Sequence, residues 1–393
     1  METEYKYLLH LLGAYLREEE PEVCPDANWE KLLELAGIHS VVGILGYLTM
    51  RYPICPDPEI AATLRNFCKS TVAVFTRRGL QAQLLVQTLE DAGIDHVLMK
   101  GYVLRHFYPV PELRTFNDID LVIRPCDRQK CDQLMLSQGY QRKTDWEPVF
   151  SYHQGDLLVE VHTDIMEIDV SDKADYRGYF QNMWEHAQTE TAHSYRFTPE
   201  FHFLYLLTHI AKHVHGSGAG ARMYLDIAAF IRHYGNNLDW EWIRQQLVQL
   251  KLDTFAGVVM TAVNSWFGVS CPMAYTAAPQ AVLEQFAAYT MEAGIFGHQN
   301  RDAALASLKH TSPDVAGNKV RQFLKEAFPA AKTIQSRYTY LQDKPWLLPA
   351  AWVHRLVKNR QKLGSHTRNM QNILRADENE VRTLQQLMQN IGL

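Results

Sequence analysis

Two aspartates, Asp118 and Asp120, stand two apart in the stretch Asp118-Ile-Asp-Leu-Val-Ile123. Polar and apolar residues alternate there at period two, which reads as a β-strand. Both carboxylates then share one face, roughly 6–7 Å apart along it. Such a pair holds one or two hard divalent cations from one side, and Mg²⁺ keeps positions for water and phosphate oxygens. Glu160 supplies a third carboxylate inside a second apolar stretch, Leu157–Asp164. If the two strands are neighbours, the three acids converge, as two-metal phosphoryl chemistry requires. Unpaired buried charge is expensive, so carboxylates inside apolar strands call for a reason. Upstream, the apolar run His96-Val-Leu-Met99 ends in Lys100-Gly101. A strand that turns there into a helix offers backbone N–H groups and an ammonium to an anion. Arg114 lies four residues before Asp118, in a polar loop free to swing toward a triphosphate. His162 is two after Glu160 and faces the same way, either toward a phosphate or acceptor or as a hydrogen-bonded strand histidine.

These residues need a sheet to position them. Strands are expected at His96–Met99, Asp118–Ile123, Tyr140–Lys143, Val149–His153 and Leu157–Asp164, with Gln154-Gly155-Asp156 as a hairpin turn. A short helix over Tyr102–Tyr108 and another over Arg128–Gln138 lie between them. Helical spacing dominates elsewhere. It covers residues 29–49 in one run and 58–92 in a long helix that stops at Gly93. Beyond Pro199 it covers Phe201–His213, Met223–Tyr234, Trp240–Leu250 and Thr254–Trp266, and Thr311–Lys319 reads as a loop. The expected organisation is a helical region at 1–92, an α/β core at 93–198 and a helical region at 199–393.

The chain has 393 residues, 47% hydrophobic and 21% charged, which excludes fibrous and largely disordered classes. A net charge of -5 argues against a chain that binds nucleic acid throughout. The charge is uneven. Residues 1–30 carry eight acids against Lys6 and Arg17, whereas 351–375 carry Arg355, Lys358, Arg360, Lys362, Arg368 and Arg375 with no acid. That basic stretch is either a solvated helix face, with Trp352 and Arg355 as possible base-stacking residues, or a lining for the substrate groove. The opening residues lack a basic leader and a cleavage site, and no window is apolar enough for a membrane span. Six cysteines with no CxxC pair read as reduced thiols, so a cytoplasmic protein is expected.

The segment from Lys100 to Ile123, together with Glu160-Val-His162, resembles the nucleotidyltransferase superfamily that includes DNA polymerase β. More closely it resembles the uncharacterised bacterial nucleotidyltransferases, which carry a "KG" turn, "R…DIDLLV", an "E-L-H" strand and then helices. The likeness continues through residues 203–231 and extends to Phe328-Pro329 and Trp346–Pro349. It implies an α+β fold with a mixed-sheet core between helical regions, bound Mg²⁺ or Mn²⁺, and transfer of a nucleoside monophosphate from an NTP to an acceptor. By the same resemblance Asp118 and Asp120 are metal ligands and Glu160 is the third carboxylate, as ligand or base. Lys100, Gly101, Arg114 and His162 fall to the substrate. The broader superfamily has Gly-Ser where this chain has Lys100-Gly101, so Lys100 must replace a serine's phosphate contact. The third acid is Glu instead of the commoner Asp. The acceptor and the oligomeric state are not readable; a small molecule, peptide or protein fits better than nucleic acid.

Two other readings stand beside this one. A chain without Gly-Ser can keep the fold as a binding module without turnover. His209, His213 and His215 with Asp226 suggest a helical metal-dependent hydrolase, since histidines four apart share a helix face. No His-Asp dipeptide and no HExxH supports it. For Arg222 and Asp226, four apart, a helical ion pair suffices.

Overall fold

The computed structural model describes residues 2–294, 297, 328–335, 338, 340–358 and 377–393. The expected loop at 311–319 and Arg360, Lys362, Arg368 and Arg375 of the basic stretch lie outside them.

Four helices precede the sheet: α1 (Thr3–Arg17), α2 (Trp29–Ile38), α3 (Val42–Arg51) and α4 (Pro58–Asp91). Asp57 caps α4 by accepting from the N–H groups of Glu59 and Ile60, with Pro58 in the first turn, where its missing N–H costs nothing. The single helical run expected over 29–49 is two helices. Ser40 adopts φ 53 between them, and neither Gly nor Pro marks the break.

The sheet has seven strands in the order β3-β4-β5-β2-β1-β7-β6. They are β1 (His96–Met99), β2 (Asp118–Ile123), β3 (Gln141–Trp146), β4 (Val149–Gln154), β5 (Leu157–His162), β6 (Ala187–Thr189) and β7 (Ser194–Phe197). Three helices interrupt them: α5 (Gly101–Leu104), α6 (Arg128–Ser137) and α7 (Tyr176–Phe180). The expected helix over Tyr102–Tyr108 is α5 followed by a 3-10 turn, Arg105–Phe107. The sheet is mixed. β2 runs antiparallel to β1 and parallel to β5, and β7 pairs parallel with β1. The fold is thus α+β, a mixed sheet flanked by helices. The β6–β7 ribbon was not anticipated; three- and four-residue strands carry too little alternation to be read.

Helices follow: α8 (Pro199–His215), α9 (Ala221–Tyr234), α10 (Trp240–Gln249), α11 (Asp253–Phe267) and α12 (Gln280–Ala293), then α13 (Ala331–Ile334), α14 (Tyr340–Asp343), α15 (Leu348–Lys358) and α16 (Glu378–Asn390). Trp352 on α15 donates its indole N–H to the Pro329 carbonyl and packs with Tyr338, Leu341 and Ala351. Among the described residues no helix is long and apolar enough to cross a membrane.

The two faces of the sheet bury against different partners. Ile119, Leu121 and Ile123 of β2 join Val159 and Val161 of β5 in a core with Leu85 and Leu89 of α4 and Met135 of α6. The opposite face contributes Val97, Met99 and Val122 to a larger core with Phe201, Leu204 and Tyr205 of α8 and Leu8, Leu11 and Leu12 of α1. Asp118 and Asp120 alternate with the first set, so they point toward α8.

Candidate active site

Register brings the acids together. Asp120 pairs with Glu160 across the parallel β2–β5 ladder and with Met99 across β1. Neighbouring strands lie about 4.8 Å apart, and paired residues face the same way. His162, two residues beyond Glu160, reaches back with Nε2 3.1 Å from Asp120 Oδ1 and 3.9 Å from Glu160 Oε2. Asp120, Glu160 and His162 each offer a ligand atom, and these atoms all lie within 4.8 Å of one another. Two hard carboxylates and an imidazole suit a divalent cation. Asp118 lies on the same face of the strand and lines the same cleft, outside this compact trio.

Lys100 completes the cluster. It adopts φ 52 and ψ -128 as β1 turns into α5, a region that side chains rarely occupy and that stores strain. The turn sends Nζ to within 2.6 Å of Asp120 Oδ1. Burial works against both charges. The pair nonetheless holds the ammonium above its ordinary value and, with help from His162, the Asp120 carboxyl below its own. Glu160 goes the other way: burial, then Asp120 and Asp118, push its carboxyl up to about 7. Asp118 is also raised, by burial and then by Asp120. Burial lowers His162, which keeps its ring neutral.

Gly101 allows the next layer to approach. A Cβ there would run into the Arg114 guanidinium and lie 2.8 Å from Phe116 Cβ. Arg114 does not swing in a free loop as the sequence suggested. It is buried and grips Asp226 of α9 through both oxygens, Nε to Oδ1 at 3.0 Å and Nη2 to Oδ2 at 2.6 Å. The Tyr108 hydroxyl donates to Oδ1 as well. Asp226 therefore pairs with an arginine 112 positions away rather than with Arg222 one helical turn away. Arg222 instead donates to Thr115 Oγ1 at 2.7 Å.

These groups line a cleft of about 540 Å³ between the sheet face and α8 and α9. Lys100, Gly101, Arg114, Asp118, Asp120, Glu160 and His162 all border it. So do His209, Lys212 and His213 from α8, with His213 Nε2 3.1 Å from His209 Nε2. Burial depresses both of these imidazoles. The histidine-based hydrolase site loses its carboxylate, since Arg114 and Tyr108 engage both oxygens of Asp226.

A family model described as "Uncharacterised nucleotidyltransferase" matches residues 25–268, more than half of the chain. The chain belongs to this nucleotidyltransferase family. The match spans the whole sheet and runs on through α8 to α11. None of the curated proteins matches. Among solved structures, one described as "Solution Structure of Antibiotic-Resistance Factor ANT(2'')-Ia Reveals Substrate-Regulated Conformation Dynamics" is similar to 44% of this chain and 92% of its own, at 12% identity and a TM-score of 0.33. Within this nucleotidyltransferase, sequence reasoning missed Tyr205, Lys212 and Arg222 as cleft residues. Tyr205 and His209 are four apart on α8, as are His209 and His213, so the helical period was the signal available.

Proposed function

We propose that this protein transfers a nucleoside monophosphate from an NTP to a hydroxyl-bearing acceptor, using Mg²⁺ or Mn²⁺ held by Asp118, Asp120 and Glu160, in a two-metal site. The observation that carries the reading is the meeting of Asp120, Glu160 and His162 within 4.8 Å beside Lys100, on the floor of a cleft large enough for a nucleotide. Bound there, the cation supplies charge neutralisation and polarisation of phosphate oxygens.

The residues supply the rest. An acceptor oxygen attacks the α-phosphorus, the bond from that phosphorus to the bridging oxygen breaks, and pyrophosphate leaves with the electron pair. Where Glu160 is not itself engaged with the cation, the acceptor's proton passes to its carboxylate, which burial and the neighbouring aspartates push up to about 7 in the metal-free chain. Lys100 and His162 keep Asp120 ionised and fixed in orientation. The Lys100-Gly101 turn borders the phosphates, and Arg114 shapes the wall beside them through Asp226. A cleft of this size suits a small molecule or a protruding peptide or protein side chain better than a nucleic-acid duplex. A cytoplasmic setting, where NTPs and reduced thiols such as exposed Cys126 coexist, agrees with this reading.

One observation favours a second reading, a binding protein without turnover. The Lys100 ammonium already neutralises the Asp120 oxygen that a cation would share. Incubation with each NTP and Mg²⁺, followed by assay for pyrophosphate and mass analysis of modified acceptors, separates the two. Pyrophosphate release that depends on Asp120 supports transfer, whereas metal-dependent NTP binding with no release supports the binding protein.

A further inference from the structure

On its sheet side the cleft carries Asp118, Asp120 and Glu160 with Lys100 and Lys143, and on its helical side Lys212 of α8 with Arg222 and Asp226 of α9. The two cations expected from sequence to meet phosphate are already engaged, Lys100 with Asp120 and Arg114 with Asp226. Among the described residues, neither Lys212 nor Arg222 forms an ion pair. Arg222 has Thr115 as a neutral acceptor, and its buried Nε has no partner. Burial and then the nearby Lys100 lower Lys212, and burial and then Arg114 lower Arg222 to about 10. Both half-buried side chains thus lack a paired carboxylate, a cost that a bound anion would relieve.

Their placement is also specific. Lys212 is in the last turn of α8 and Arg222 in the first turn of α9, and only residues 216–220 separate the helices. Both border the cleft. His213 follows Lys212 in the same turn, and the lowered pKa of its imidazole leaves it neutral, able to donate one N–H to a phosphate oxygen.

We infer that Lys212, Arg222 and His213 form an oligophosphate subsite on the helical wall, which takes the β- and γ-phosphates of the NTP and retains pyrophosphate. The inference rests on the nucleotidyl-transfer reading for the identity of the ligand, but the subsite itself needs only a diphosphate. It gives the cleft a polarity: the α-phosphate lies at the carboxylates, and the leaving group lies against α8 and α9. A nucleoside monophosphate lacks the groups that would fill it, so NTP should bind more tightly than NMP.

The test is calorimetric titration of the full chain with inorganic pyrophosphate in EDTA, with inorganic phosphate as a control. Pyrophosphate should bind the native protein, and Lys212→Gln should weaken that binding by about tenfold or more, the worth of one charge-assisted hydrogen bond. Arg222→Gln should do the same, with Arg222→Lys as the milder variant if the glutamine disturbs folding. Absence of pyrophosphate binding, or binding unchanged in both Lys212→Gln and Arg222→Gln, overturns the subsite. Pyrophosphate binding that maps to these residues in a protein that releases none from NTP would uphold the subsite and overturn nucleotidyl transfer.

Discussion

Lys100 Nζ stands 2.6 Å from Asp120 Oδ1, joining the strained end of β1 to the centre of β2. Asp120 is almost fully buried, so this ammonium is its principal counter-charge. Removing one partner of a buried pair leaves the other uncompensated, at a cost of about 3–5 kcal/mol. Lys100→Met should lower unfolding free energy by that order in urea titrations without metal. Added Mg²⁺ should recover part of the loss, because a bound cation takes over the counter-charge. A variant as stable as the native protein would contradict the role given to the pair.

The Arg114–Asp226 pair ties the loop before β2 to α9. Asp226→Asn should cost about 3–5 kcal/mol, since it leaves a buried guanidinium without a carboxylate. The double variant Arg114→Met/Asp226→Met should cost less than the sum of its single variants, because the groups share one interaction. Additive losses in chemical denaturation would show that the two residues act independently.

Gly101 is needed for close approach, with a Cβ there 2.8 Å from Phe116 Cβ and against the Arg114 guanidinium. Overpacking of this kind costs about 1–3 kcal/mol. Gly101→Ala should lower the melting temperature and reduce nucleotide affinity together, as Arg114 is displaced. An unchanged melting temperature would count against the packing argument.

Glu160 gives a pH signature. Its carboxyl titrates at about 7 in the folded chain against an ordinary 4.5. Between those values the folded state holds a proton that the unfolded chain has released. Its contribution to stability therefore falls as pH rises through this window. A cation needs the ionised form, so stabilisation by Mg²⁺ should grow as pH rises through it. Melting curves with and without Mg²⁺ across the window check this. An Mg²⁺ effect independent of pH would remove Glu160 from the metal site.

The parts of the molecule legible in sequence are those with local periodicity. The alternation in Asp118–Ile123 marks β2 to the residue, and two-residue spacing places His162 beside Glu160. The limits of α8, α9, α10 and α11 follow from helical spacing to within a few residues. Long-range pairing was not legible. Asp226 has a plausible partner one turn away in Arg222, and nothing in the sequence says that Arg114, far earlier in the chain, will reach it instead. The parallel pairing of β7 with β1 is hidden for the same reason, as it joins residues nearly a hundred positions apart. Lys100 was legible as a cation at a turn, but its engagement with Asp120 depends on register between β1 and β2.

The central claim is that the β2–β5 carboxylates bind a metal-nucleotide complex. Its most direct test is NTP titration with and without Mg²⁺ for the native chain and for Asp118→Ala/Asp120→Ala. Mg²⁺-dependent NTP binding by the native chain, and its loss in the double variant, are expected. Mg²⁺-dependent binding that survives both substitutions would contradict that claim.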